Sequence, residues 1–353
     1  MNTRYRFSLP VCALFAAVFS FSAVPSGHAG VSDPLDVQVS NINSGGSYFA
    51  FVHLTDLHIG EGSADYGTPG YEDAPPAGDV GVPAQLLRKQ VDWINANIDA
   101  CNIDLVIVTG DITQSGERSE FMKAREILDT LTVPYVPILG NHDVWPYTGS
   151  TEAPYPFGDQ YFKEVFASTF NNLQSVMPGW NNGTRLTRVW NPEAGCYSWF
   201  QNFSFTYGSY HFMCSDFVTR GHALSGSGAN PEADLHNFTG GTWPWFRSRY
   251  DSYPHENRDD ILIFAHHPMT KDPWNDIYSF SYGEYNTVAS FLNNDSHKYN
   301  TGLWNAGHMH RNYTYNVRTL GFPPSTICPG IETNAAKDGG GHLRIIKVWN
   351  ASF

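Results

Sequence analysis

Basic residues are scarce. Lys and Arg number 21 against 34 Asp and Glu, a net charge of −13, so the chain lacks the basic face that a lasting grip on nucleic acid requires. Cysteine is scarce too. Five occur in 353 residues, none in a Cys-x-x-Cys or zinc-ligand spacing, which excludes a structural thiolate metal site. Past Val24 no apolar run is long enough to span a bilayer, and no internal repeat, heptad run or low-complexity tail occurs. What is present is a globular composition, 41% hydrophobic and 15% aromatic, with Trp, Tyr and Phe abundant.

The one strongly apolar stretch lies at the start. Arg4 and Arg6 precede the run Phe7 to Val24, and Gly27-His28-Ala29 offers a small-x-Ala cleavage site, the layout of a signal peptide covering residues 1–29. The expected product is secreted or periplasmic, with no membrane-spanning segment once mature. Cys12 leaves with the signal. Cys101, Cys196, Cys214 and Cys328 remain, an even number in an oxidising compartment. Cys196 and Cys214 flank two strand-like runs and are the expected disulfide pair, with free buried thiols as the alternative. Asn-x-Ser/Thr sequons at Asn182, Asn202, Asn237, Asn294, Asn312 and Asn350 do not decide glycosylation.

Residues 30–47 are polar and rich in Gly, Ser and Asn and read as a linker or irregular leader, leaving residues 48–353 as one ordered domain. Phe49–Thr55, Ile103–Thr109 and Tyr135–Leu139 read as strands, with Pro137 best placed near an edge or end. Between them, Leu86, Leu87, Val91, Ile94 and Ile98 repeat at helical spacing, as do Phe121, Ala124, Leu128 and Leu131, with Ser119 as a cap. This order predicts an α/β fold with a largely parallel sheet covered by helices. Cys196–Phe200, Tyr210–Cys214, Ile261–Phe264, Gly302–Ala306 and His342–Trp349 predict further strands, and Trp243–Tyr250 a short helix, so a second sheet packs on the first. Two long loops, 60–83 and 144–159, have the length of lids or binding loops; Tyr66, Tyr71, Trp145 and Tyr147 in them are candidates to line a substrate cleft.

The chemistry sits where strands stop. Asp56-Leu-His58 follows the first strand, Gly110-Asp111 the second, and Gly140-Asn141-His142-Asp143 the third. His266-His267-Pro268 and Gly307-His308-Met309-His310 follow two later strands. In an open α/β sheet the carboxyl edge is where ligands bind. Carboxylate, amide and imidazole together suit divalent metals, and residues two apart in an extended segment face one side. Any one block is ordinary, a turn or a strand exit. Five in order, each after a predicted strand, point to a metal site. His53 lies inside a strand and reads as a core histidine; His266 rather than His267 reads as the ligand of its pair.

These five blocks, in this order, resemble the signature of the calcineurin-like metallophosphoesterase superfamily, over roughly Tyr48 to Val348. The resemblance implies a sandwich of two mixed β-sheets flanked by helices, with a dinuclear metal site at the strands' carboxyl edge. It implies that Asp56, His58 and His310 hold the first ion, that Asn141, His266 and His308 hold the second, and that Asp111 bridges them. His142 would be the catalytic histidine beside the metals. On position alone, Asp143 either orients His142 or its loop or, as an adjacent residue, points apart from it. Two ions so bridged stand about 3.5–4 Å apart, clamp phosphoryl oxygens and yield a bridging hydroxide for in-line attack on phosphorus. Mixed N/O ligands suit Fe, Mn or Zn, and such ions supply the positive charge an acidic chain needs to handle phosphate esters.

Departures narrow the branch. Purple acid phosphatases carry Tyr three residues after the bridging Asp, where this chain has Gln114. Ser/Thr protein phosphatases read Gly-Asp-x-Val-Asp-Arg-Gly, where this chain reads Gly-Asp-Ile-Thr-Gln-Ser-Gly. The phosphodiesterase-like branch remains, with a small-molecule, lipid or nucleotide phosphoester as substrate. The long stretch from His142 to His266 suits an added cap for a bulky substrate. A phosphomonoesterase and a non-catalytic metal-binding homologue are the alternatives.

Overall fold

Phe49 and Phe51 on one strand meet Phe212 and Phe264 on two others, and this aromatic contact joins two β-sheets face to face. The ring of Phe51 lies 5.5 Å from that of Phe264, and Phe212 stacks on Phe264 at 5.4 Å. The computed structural model describes residues 30–43, 46–62, 74–144, 157–177, 180, 187–220, 231–254, 259–269, 278–294, 296–297, 300–317 and 329–349. Residues 1–29, Cys328, Asn182 and Asn350 fall outside these, as do Tyr66, Tyr71, Trp145 and Tyr147.

The first sheet has the order β1 (Asp36–Ile42), β13 (His342–Trp349), β2 (Tyr48–Leu54), β3 (Ile103–Thr109), β4 (Tyr135–Ile138). β2, β3 and β4 run parallel, β13 is antiparallel to β2, and β1 is parallel to β13. The second sheet has the order β11 (Tyr313–Asn316), β12 (Pro329–Glu332), β10 (Thr301–Ala306), β9 (Ile261–Phe264), β8 (Tyr210–Cys214), β7 (Phe203–Tyr207). Its middle strands are parallel and its outer pairs antiparallel. Both sheets are therefore mixed, as the resemblance implied, and the first is largely parallel, with only the β13–β2 pairing antiparallel.

Parallel neighbours need helical crossovers, and the sequence supplies them. α1 (Val82–Cys101) opens with Pro83 in its first turn, buries Leu86, Leu87, Val91 and Ile94, and ends at Asn102, whose left-handed backbone donates its N–H to Ile98 O. It packs against β3 and β13. α2 (Arg118–Leu128) is capped by Glu117, not Ser119: the Glu120 carboxylate takes the N–H of Glu117 at 3.2 Å, which starts the helix one residue before the serine. α3 (Gly158–Val165) and α4 (Ala167–Val176) follow, joined at Phe166, and the Phe162 ring meets those of Phe166 and Phe170 at a tilt. On the far face of the second sheet, α5 (Thr242–Asp251) and α6 (Tyr282–Leu292) bury Trp243, Phe246 and Val288 against Trp304 and Ile263.

Three expectations need correction. Residues 30–47 are not an irregular leader, because Asp36–Ile42 forms β1; polar alternation and half-exposure at a sheet edge hid it. Cys196 and Cys214 are not bonded to each other, and no disulfide joins the described cysteines. Cys196 opens β6 (Cys196–Phe200), which pairs with β5 (Thr187–Asn191) in a separate two-stranded sheet, whereas Cys214 ends β8 opposite Phe203. The aromatic run thus holds three strands, with β7 as the hairpin partner of β8. Pro137 sits on β4 at the open edge of its sheet, as expected, and the side chain of Gln201 covers that edge, donating to Pro137 O at 3.0 Å and accepting from Leu139 N at 2.8 Å.

Candidate metal centre

β2, β3 and β4 of one sheet and β9 and β10 of the other all point their carboxyl ends to one place. The pairing continues past the strands: Asp56 N donates to Gly110 O, His58 N to Asp111 O, and Gly307 N to His266 O. His266 Nδ1 crosses between the sheets to Thr109 O at 2.7 Å. The loops are held this close because two residues lack a Cβ. A Cβ on Gly140 would stand 2.2 Å from Asp111 N, and one on Gly307 would stand 1.8 Å from Thr55 Oγ1.

Asp56, His58, Asp111, His308 and His310 all have positive φ, between 46° and 70°. Left-handed backbone is costly outside glycine and gathers at functional sites. The two Asp/His-x-His pairs are therefore not extended, as strand geometry suggested. Each converges through two left-handed residues, and main-chain hydrogen bonds hold the strain in place.

The side chains meet. Asp111 Oδ2 lies 3.2 Å from His266 Nε2 and 3.6 Å from His58 Nε2, while Asp111 Oδ1 accepts His142 N at 2.8 Å. Asn141 Oδ1 is 3.0 Å from His266 Nε2, and His310 Nε2 is 3.3 Å from Asp56 Oδ1. The His308 ring stands 5.0 Å from that of His266 and its Nε2 lies 3.0 Å from Glu232 Oε2. Asp56–His58–His310 and Asp56–Asp111–His266 each offer ligand atoms within 4.8 Å of one another. Asp56 Oδ1 and His58 Nε2 are buried without a hydrogen-bond partner. Buried polar atoms left this way normally have an unseen partner, and a donor set of carboxylate, amide and imidazole fits two metal ions.

The charges agree. Burial opposes ionisation of Asp56 and Asp111, but the imidazoles of His310 and His266 hold both carboxyls well below the usual range. Burial pushes His58 down to about 4, which leaves it neutral. Burial also works against protonated His266 and His310, yet Asp111 lifts the first to about 9, and Asp338 with Asp56 lifts the second to about 10. Without metal, protons stand where cations would.

Sequence reasoning missed the outer partners. His310 Nδ1 faces Asp338 Oδ2 at 3.4 Å, His58 Nδ1 donates to Gln114 Oε1 at 2.8 Å, and His142 Nδ1 donates to Gln114 O at 2.6 Å. Nothing in the sequence marks Asp338, which lies on a different loop. Asp143 points away from His142: its carboxylate accepts from Ile112 N, Thr113 N, Thr113 Oγ1 and Gly140 N, tying the Asp111 loop to the Asn141 loop. His53 is a core residue between Thr109 Oγ1 and Thr333 Oγ1, and His267 is buried beside His308 with neither ring nitrogen hydrogen-bonded.

The two-sheet fold presents a metal-type donor set of carboxylate, amide and imidazole at one carboxyl edge. The family profile of calcineurin-like phosphoesterases matches residues 49–312, and the chain belongs to that family, whose members carry a dinuclear metal centre. No curated protein matches. Among solved structures, the chain is similar to a purple acid phosphatase from yellow lupin (Lupinus luteus) at 16% identity and TM-score 0.40, covering 85% of this chain and 44% of that one. It is also similar to a phosphopantetheinyl hydrolase from Mycobacterium tuberculosis at 12% identity and TM-score 0.40, covering 82% and 91%. The chain thus spans less than half the length of the lupin enzyme.

Proposed function

We propose that this chain is an exported phosphodiesterase. Asp56, His58, Asp111 and His310 would hold one ion, and Asp111, Asn141, His266 and His308 the other. Fe, Mn or Zn bound there supplies Lewis-acid charge and lowers the pKa of a water toward neutrality. The protein's own part is positional. Asp111 spans the two histidine sets. His142, anchored through Nδ1, presents its Nε2 edge to the departing alkoxide, where it gives a proton or stabilises charge.

The observation that favours a diester is the state of the nearby cations. Arg311, next to His310, is bound at 2.5 and 3.2 Å by Glu332, and Lys337 is bound at 2.6 and 2.7 Å by both oxygens of Glu61. A phosphomonoester brings a second negative charge that these spent cations do not meet. A diester brings one.

Hydrolysis of a paired aryl phosphodiester and phosphomonoester by the Mn²⁺-loaded protein, beside a chelated control, tests the reading. Chelator-sensitive preference for the diester supports it; preference for the monoester replaces it with a phosphatase. Export rests on the apolar run Phe7–Val24 and the site at Ala29. N-terminal sequencing of the protein recovered outside the cytoplasm tests it, an intact Met1 being the contrary result.

A further inference from the structure

We propose that Gln114 is a positioning residue that fixes the ring of His58 with its side chain and the ring of His142 with its main chain. The proposal rests on the metal-centre reading above. Gln114 Oε1 lies 2.8 Å from His58 Nδ1, and Gln114 O lies 2.6 Å from His142 Nδ1. The two rings meet edge to face with centroids 4.6 Å apart. One residue thus holds two neighbouring imidazoles by two different atoms.

Proton bookkeeping gives the contacts their meaning. The Nε2 of His58 faces the carboxylates of Asp111 and Asp56 at 3.6 and 4.0 Å and has no hydrogen-bond partner. To serve as a ligand it must be unprotonated, so the ring proton sits on Nδ1 and needs an acceptor. Gln114 Oε1 is that acceptor. His310 has the carboxylate of Asp338 in the same place. At His58 a neutral amide oxygen takes that place and selects the Nδ1–H tautomer.

Gln114 is itself held. Its N–H donates to Ile59 O at 3.0 Å, locking it to the residue after His58. The next residue, Ser115, donates its N–H and hydroxyl to Glu120 at 3.0 and 3.2 Å, and Glu120 is part of the cap of α2. The helix start therefore fixes the loop that fixes both rings. The amide and the carbonyl are separable by mutation, because any residue at 114 keeps the carbonyl.

The test is Mn²⁺ binding to the chelator-stripped full chain, followed by electron paramagnetic resonance of free Mn²⁺, for wild type, Gln114→Leu and Gln114→Glu. Losing an outer partner of a ligating histidine weakens metal by about 10–100-fold. Gln114→Leu is expected to weaken one ion by that factor and leave the other, and Gln114→Glu to bind both at least as tightly as wild type. In the Zn²⁺-loaded proteins, the Nδ1–H proton resonance of His58 should vanish in Gln114→Leu and persist in Gln114→Glu, while that of His142 persists in all three. Wild-type affinity for both ions in Gln114→Leu overturns the proposal, as does a Gln114→Glu chain as weak as Gln114→Leu. Should Gln114→Leu not fold, the Gln114→Glu chain decides alone: binding weaker than wild type overturns the role. A wild-type chain that binds no Mn²⁺ overturns the metal-centre reading and this role with it.

Discussion

The main-chain N–H of His142 donates to Asp111 Oδ1 at 2.8 Å. That bond turns the other oxygen of Asp111 toward His58 and His266, so the same contact that places the catalytic candidate also aims the carboxylate proposed to bridge the ions. Asp111→Asn replaces a shared charge with a neutral amide. It is expected to cut diester hydrolysis by more than about 100-fold, beyond the usual cost of an outer partner, and to lower the metal content measured by mass spectrometry from two ions toward one.

His142→Ala removes a ring that lies against His58, with centroids 4.6 Å apart, but stands outside both proposed ligand sets. Activity should fall by about 10²–10⁴-fold, the range for losing a general acid or base, with metal content unchanged. Loss of an ion in this variant would make His142 a ligand instead.

Metal uptake should release protons. His266 and His310 titrate near 9 and 10 without metal, raised by Asp111 and by Asp338 with Asp56, whereas His58 titrates near 4 and is already neutral. Because the raised groups are protonated at pH 7 and must be neutral to bind, two protons leave when both sites fill. Apparent affinity should therefore rise with pH up to about 9 and flatten above 10. Calorimetry in buffers of different ionisation enthalpy reads the proton count; none released would contradict the assignment of both histidines.

Asp143→Asn should destabilise the chain by about 2–4 kcal/mol in urea unfolding. The carboxylate takes four donors from two loops, and an amide both loses acceptor capacity and brings a donor against N–H groups, at roughly 1–3 kcal/mol for each buried group left unpaired.

Two glycines should respond in opposite directions to alanine. At Gly307 the new methyl would lie 1.8 Å from Thr55 Oγ1 and 2.5 Å from Asp56 Oδ2, so the loop must shift and metal binding suffers. At Gly283, on α6, the methyl meets nothing within 4 Å, and a gain of roughly 0.5 kcal/mol is expected from helix propensity. Thermal melts with and without Mn²⁺ separate the two effects.

The ligand blocks were legible because each follows an apolar run whose period and composition announce a strand, and strand ends at one edge converge. Their backbone was not legible. Nothing in Asp56-Leu-His58 says that both outer residues take positive φ, since the cause lies in hydrogen bonds to residues 110 and 111. β1 escaped because only Val37 and Val39 alternate with Gln38 and Ser40 before Asn41 breaks the period, and its partner β13 lies some three hundred residues away in sequence. α3 and α4 were hidden inside the insert, although Phe162, Phe166 and Phe170 do repeat at helical spacing. The Cys196–Cys214 pairing failed because two aromatic runs were read as neighbours when a third strand stood between them.

β13 lies between β1 and β2, the last strand wedged between the first two. During synthesis, β2 waits with an open edge until residues 342–349 emerge, and β1 has no partner at all. The first sheet therefore cannot close on a growing chain, and folding must pass through pairings of long sequence separation, which are slow. Asp56 and His58 hang from the end of that waiting strand. The proposed metal capture therefore waits until residues 342–349 have joined the sheet.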